Sequence, residues 1–483
     1  MSLKKSNHFP HPGDASILPP KHNHWLAVAR SNWFIVLIFL LYPIGQFVQD
    51  EDRFNPYWAQ IICKVGIYIL LALGLQLING ISGQFSLGHA GFMAIGAYAS
   101  ATAIDQFSYL GAAETANQLT PVAARYTNPG KVLVFFLLLC AGMVLFISFC
   151  ELLKFIKTNF DREAESAISR ASTRKYRLTL FILAMISVIS IVIARQHIDP
   201  IGDSITSFVP TNLRPPFCMI IILVGSGILA GFAGWLVGLP TLRLRGDYLA
   251  IATLGFAEIV QVVIANTKYL GSSTGLQLTP YSILPDTRRD APATGYFYLF
   301  PWIYGSAFLA FMLLYRLKSS AKGLAIQSVR EDEIAARAVG VDNVHHKIIA
   351  FVIGAALAGV GGALLANNIG YINTATFSLQ TSVEIVVIVT LGGLGNIYGT
   401  VIAAVALTLL PEWLRDPTFR SILDPDGDHS EALNLEKWRM VIYAVILICI
   451  MLLRNVAGKA ISRVYQQWFA SKSSTNKSVR FSK

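Results

Sequence analysis

A succession of apolar runs, separated by short polar or glycine-rich breaks, orders this chain. They fall near Trp33–Val48, Trp58–Asn79, Leu87–Ile104, Val132–Leu153, Leu178–Ala194, Phe217–Val237, Tyr248–Ile264, Leu299–Leu317, Ile348–Ala366, Val383–Leu394, Ile397–Leu410 and Trp438–Leu453. A membrane-crossing helix needs about 20 apolar residues. Several runs are shorter than that, so the pattern predicts about 10 to 12 membrane segments, some of them broken or re-entrant. The expected fold class is all-α, a polytopic transmembrane helical bundle. The pair around Gly392–Asn396 is open to three readings: one kinked helix, a re-entrant pair, or two short helices.

Composition supports a chain with little water to face. Of 483 residues 54% are hydrophobic and 14% charged, with mean hydropathy +0.53, against about 25% charged in soluble domains. The net charge of +11 does not point to nucleic acid, because the cations sit between apolar runs and at the two ends rather than on one face. Counted loop by loop, most Lys and Arg fall on the side of the N-terminus, including Lys154–Arg177, Arg243, Arg245, Lys318, Lys322, Arg330, Arg337 and the tail after Arg454. The loop Glu412–Glu436 on the other side is acidic. Positive-inside bias therefore predicts two cytoplasmic termini.

The expected organisation is a cytoplasmic tail over 1–32, without a signal-peptide pattern, a transmembrane domain over 33–454 containing a cytoplasmic loop at 318–347, and a basic cytoplasmic tail over 455–483. The segment Leu153–Arg177 reads as a short exposed helix. Cys63, Cys140, Cys150, Cys218 and Cys449 lie in or beside apolar runs without a Cys-x-x-Cys pair. They read as small buried hydrophobes, and no metal site is expected.

Three segments carry candidate chemistry. The first, Gly83–Tyr98, follows the breaker cluster Asn79–Gly83 and places small residues at Gly88, Gly91, Ala94, Gly96 and Ala97. Small residues let helix backbones approach closely, and a broken helix must turn its freed polar groups to protein or a watered cavity. The segment is thus a tight helix seam, a lining of a translocation path, or both. His89 within it reads as a histidine bonded to a neighbouring carbonyl rather than as a proton relay. The second, Leu391–Thr400, is another glycine-rich break, with Gly392, Gly393 and Gly395, leading into a small-residue helix. Its likeness to the first hints at an internal repeat. The third, Gly323–Asp342, reads as one soluble helix over Arg330–Gly340, with Asp332 and Glu333 early and Gly340 placed to stop it. Ile334, Ala335, Ala338 and Val339 share one face, which suits a knob entering a groove on another protein, or an amphipathic interfacial helix.

Two acids lie in apolar runs. Glu384 is near a helix start, where dipole and interfacial water help it. Glu258 lies deeper with Gln261 nearby, and either faces a pore or pairs helices. Asp247 beside Arg243 and Arg245 suggests an ion pair. The loop Asn266–Asp290 faces the side from which substrate arrives, or is a plain surface loop.

The segment Glu333–Gly340 resembles the coupling loop of ABC importer permeases. Gly83–Ala90, Leu242–Ile251, Thr253–Val260 and Val383–Gly395 are similar to the branched-chain amino acid (LivM) branch of that family. The likeness covers Ile67–Asn79, Ser82–Tyr98 and Phe217–Leu414; the stretch Asp105–Arg214 looks expanded. It implies a coupling helix carried by Arg330, Glu333, Ala335, Ala336, Val339 and Gly340. Ser86, His89, Tyr98, Glu258, Gln261 and Glu384 are then candidates for the translocation path, and Gly83, Gly88, Gly392, Gly393 and Gly395 mark its broken helices. No Gly-x-x-x-x-Gly-Lys-Ser/Thr occurs, so this chain has no Walker loop. The resemblance implies no cofactor on this chain, ATP-Mg on separate ATP-binding subunits, a homologous sister permease, and a soluble or lipid-anchored substrate-binding protein. It places the chain in a bacterial inner membrane, moving branched-chain or related amino acids inward by alternating access, with urea or short amides as the alternative substrates. The alternatives are an ion-coupled secondary transporter using Glu258, Glu384 and His89, and a non-transporting scaffold.

Overall fold

In the computed structural model, long apolar stretches form helices that stack side by side. The structure describes residues 56–108, 129–160, 202–210, 213–241, 247–278 and 294–413, with Val445 and Ile448. Along the chain run α1 (Pro56–Leu75), α2 (His89–Ser108), α3 (Pro129–Phe160), α4 (Arg214–Thr241), α5 (Asp247–Asn266), α6 (Thr294–Ser319), α7 (Ala321–Glu331), α8 (Glu333–Ala338), α9 (Asn343–Ile369), α10 (Leu379–Gly392) and α11 (Ile397–Trp413). The one strand pairing among the described residues is two residues long: β1 (Leu276–Gln277) lies antiparallel to β2 (Tyr371–Ile372). The fold is an all-α polytopic bundle.

Six helical stretches among the described residues are long and apolar enough to cross a membrane: Tyr57–Ile81, Pro216–Thr241, Tyr248–Asn266, Leu299–Ser319, Asn343–Ile369 and Thr374–Gly392. The runs Trp33–Val48, Leu178–Ala194 and nearly all of Trp438–Leu453 lie outside the described residues, as do both tails and the Arg243–Arg245 side of the expected ion pair with Asp247. The helix α3 continues unbroken through Leu153 to Phe160, so the expected exposed helix does not begin at Leu153.

The helix α9 sits at the centre because its middle, Gly354–Ala363, is mostly glycine and alanine. A methyl group on Gly359 would collide with Ala230 and with the Ser226 carbonyl of α4; one on Gly362 would collide with the Met93 carbonyl of α2. On a third side Gly354 meets Ile78 and the Gly74 carbonyl of the first span. Without a water-driven hydrophobic effect between helices, this backbone proximity supplies dispersion contact in a membrane. Phe351 of α9 fills the space beside it, edge-on to Phe92 with ring centroids 5.5 Å apart.

The region around Gly392–Asn396 resolves into two helices. The helix α10 ends at Gly392, and Gly393 and Gly395, with φ of 94° and 83°, turn the chain into α11. Only glycine adopts such angles at little cost. The two helices then meet closely enough that a Cβ on Gly399 would overlap the Gly392 carbonyl.

Candidate functional site

The first span does not end cleanly. Beyond Leu75 it widens into a π-helical turn, Gln76–Ile81, all of it buried. Such turns shift backbone pairing by one residue and recur at functional positions. The chain then turns at Gly83, at φ 71°, and runs without regular structure until α2 begins at His89. Inside a membrane the polar groups freed here need partners, and side chains from several helices supply them. Ser86 N–H donates to Asn79 Oδ1 at 3.2 Å, Leu87 N–H to Thr253 Oγ1 of α5 at 3.2 Å, and Ala90 N–H to Ser382 Oγ of α10 at 3.0 Å. Gly88 and Gly91 are needed for clearance, since a Cβ would strike the Thr253 carbonyl or the Ala257 backbone.

The second break lies against the first. Gln76 Nε2 donates to the Gly393 carbonyl at 3.0 Å. A Cβ on Gly80 would stand 2.7 Å from Gly395 N. Two cations close this joint. Lys318, at the end of α6, donates to the Gly395 carbonyl at 2.7 Å, and the Arg330 guanidinium donates to the Gly80 carbonyl. The stem of Arg330 covers Gly83, where a Cβ would lie 2.7 Å from its Cγ. Both glycine-rich breaks and the segment 318–347 therefore meet at one end of the bundle. The glycines Gly83, Gly392, Gly393 and Gly395 serve this joint.

Arg330 corrects the sequence reading of one helix over Arg330–Gly340. Asp332 is extended, at φ −153° and ψ 112°, and its carboxylate caps a new helix by accepting from Ile334 and Ala335 N–H. Arg330 thus belongs to α7 and the joint, while α8 begins at Glu333. Acid-rich starts favour helices, but an aspartate at the cap position sets the boundary by competing for the first N–H groups. The helix α8 is held from behind. Asn343 Nδ2 donates to the Glu333 carbonyl at 2.7 Å, Lys347 pairs with the Glu333 carboxylate, and Ala336 is buried. Its other side is open: Ile334 and Val339 are each 79% exposed, and Ala335 is exposed too. Gly340, at φ 87°, ends the segment.

The remaining candidates are dispersed. His89 is buried and its Nε2 lies 3.1 Å from the Leu71 carbonyl. Ser86 is buried in the segment before α2. Tyr98 lines an apolar cavity of about 480 Å³ with Thr102, Phe135, Ile259 and Tyr269. Gln261 ties α5 to the start of α10 by donating to the Phe377 carbonyl at 2.8 Å. Glu384 accepts from Tyr68 OH at 3.2 Å. Glu258 is exposed, on the outward face of α5 with Ile251, Ile259 and Val262. Sequence reading passed over Lys64, which stands 3.9 Å from Glu412. A lone lysine inside an apolar run was the available signal.

Replacing Arg330 by alanine removes a charged donor from the Gly80 carbonyl. Thermal unfolding in detergent should show a loss of about 1.5–3 kcal/mol, the usual worth of a charge-assisted hydrogen bond. An unchanged midpoint would mean that water or Lys318 replaces it.

A membrane-spanning bundle with two broken helices latched to an exposed loop helix defines a multi-pass permease rather than a soluble enzyme or binding module. The chain belongs to the family of branched-chain amino acid transport system permease components, whose model matches residues 57–451. It is 35% identical over 211 residues to the high-affinity branched-chain amino acid transport system permease protein LivM of Escherichia coli K12, covering 40% of this chain and 50% of that protein. The LivM permease protein of Salmonella typhimurium matches equally, at 35% over 211 residues and the same coverage. The probable LivM permease protein of Methanocaldococcus jannaschii is 27% identical over 215 residues, 43% of this chain and 60% of that one. The chain thus spans about half the length of the curated relatives it matches. No solved structure matches it.

Proposed function

We propose that this chain is a transmembrane subunit of an ATP-driven importer that moves branched-chain or related amino acids inward by alternating access. The observation that carries the reading is α8: a short helix clamped through Glu333, presenting Ile334, Ala335 and Val339 outward, and following directly on α7, whose Arg330, together with Lys318 of α6, ties this loop to both helix breaks. An apolar knob on a rigid mount suits a groove in a motor subunit, and its attachment gives that motor a grip on α1 and on the α10–α11 turn. ATP-Mg would sit on those separate ATP-binding subunits, with the loop end in the cytoplasm of a bacterial inner membrane and both termini on that side.

Glu258 supports a sister permease. A carboxylate facing lipid costs roughly 2.5–3.5 kcal/mol at the bilayer centre. The outward face of α5 is therefore turned to a second permease, with Glu258 and Gln261 bordering the path between the two. A soluble or lipid-anchored binding protein would deliver substrate at the opposite end, near the loop that carries β1.

The test is reconstitution of the purified assembly in proteoliposomes. Uptake of leucine, isoleucine or valine that requires ATP and the co-purifying ATP-binding subunits is the expected result. Uptake that continues without ATP under a cation gradient would replace this reading with an ion-coupled transporter. Uptake of urea or short amides alone would change the substrate and keep the machine.

A further inference from the structure

An ionised lysine inside a membrane-spanning helix needs a partner or a function. Lys64 lies in the half of α1 away from the loop end. Its ammonium is 3.9 Å from Glu412 near the end of α11, and 5.9 Å from the centre of the Tyr68 ring. Its side chain is 43% exposed, and that of Glu412 18%. The pair is thus wide for an ion pair and open on one side. Tyr57 OH donates to the other oxygen of Glu412, which fixes the carboxylate.

These groups border a cavity of about 320 Å³. Its polar wall also includes Thr376, Thr381 and Asn368. Asn368 is 2% exposed, and its Oδ1 is buried without a hydrogen-bond partner among the described residues. The remaining wall is aliphatic, from Ile61, Leu365 and Ile369. A cation, a fixed anion, two threonine hydroxyls and an aliphatic wall around one space make the chemistry of a zwitterion with a branched side chain.

We infer that this cavity is a subsite for the α-amino acid itself on this chain, at the end of the bundle opposite the coupling helix. Lys64 takes the carboxylate, Glu412 takes the ammonium, and Ile61, Leu365 and Ile369 take the side chain. The inference rests on the amino-acid importer reading above. The two charges are already paired with each other, so affinity for the zwitterion is weak, as suits a station that must release its cargo.

The test uses the full-length chain in lipid nanodiscs, with thermal unfolding followed against three probes: leucine, the cation leucinamide, and the anion 4-methylpentanoate. Leucine should give a saturable stabilisation, with each single-charge probe about tenfold or more weaker, the worth of one charged hydrogen bond. Lys64→Gln should abolish the leucine effect and spare leucinamide. Glu412→Gln should abolish it and spare 4-methylpentanoate. Lys64→Arg, which keeps the charge, should retain it. Should Lys64→Gln not fold, Ile369→Trp, which fills the aliphatic side, should remove the leucine effect while leaving the unliganded midpoint in place. Equal effects of the three probes, no effect of leucine, or full leucine binding in both Gln variants would overturn the subsite. Leucine uptake by the wild-type assembly, measured in parallel, separates the two failures. Uptake without a zwitterion-specific shift sinks the subsite alone, and no uptake of any branched-chain amino acid sinks the importer reading first.

Discussion

Leucine in place of Gly96 should leave almost no folded protein in the membrane. The helix α2 crosses α9 at Gly96, where any Cβ would overlap the Gly359 carbonyl. The helix α9 cannot retreat, because the far side of Gly359 is already against Ala230 and the Ser226 carbonyl of α4. The clash is backbone against backbone, with no flexible side chain to rotate away. Ordinary overpacking costs about 1–3 kcal/mol, and here two helix interfaces must open together, so the loss should exceed about 3 kcal/mol. Monodisperse yield on size exclusion reads it directly. Gly142→Leu and Gly305→Leu are the controls, since nothing lies within 4 Å of a Cβ at either position. If the three variants behave alike, close approach at Gly96 is not what holds the centre together.

The second large effect concerns function with the fold intact. Ile334→Asp and Val339→Asp change side chains that are each 79% exposed and touch nothing that anchors α8. Their melting points and membrane insertion should stay at the wild-type level. Buried interface anchors are worth about 2 kcal/mol or more each, so ATP-driven uptake should fall by more than about tenfold. Co-purification of the ATP-binding subunits should fall with it. Undiminished uptake in both variants would remove α8 from its proposed role.

The sequence showed the helices of this bundle more readily than their order of importance. Runs of apolar residues announce spans because lipid demands them, and the breaks at Asn79–Gly83 and Gly392–Gly395 were visible as glycine clusters. That the two breaks touch is a property of the fold, with no local signal at either site. The central place of α9 was visible in outline, as Gly354, Gly359, Gly361 and Gly362 among alanines, but small residues in a span mark close contact without saying which neighbour makes it. Arg330 looked like part of the coupling helix because charge pattern alone cannot tell an aspartate within a first turn from one that caps it. Lys64 escaped notice because averaging over an apolar run hides a single charge, and its partner Glu412 is far away in sequence.

The glycine column of α9 also limits how this protein can move. Backbones in direct contact neither slide nor roll without losing that contact, so displacing α1, α2 or α4 against α9 would cost packing. The α10–α11 hairpin is tied to these helices in part by exchangeable hydrogen bonds, from Gln76 to Gly393, from Ala90 to Ser382 and from Tyr68 to Glu384. Moving the hairpin against these helices would break those bonds and part Gly80 from Gly395 as well.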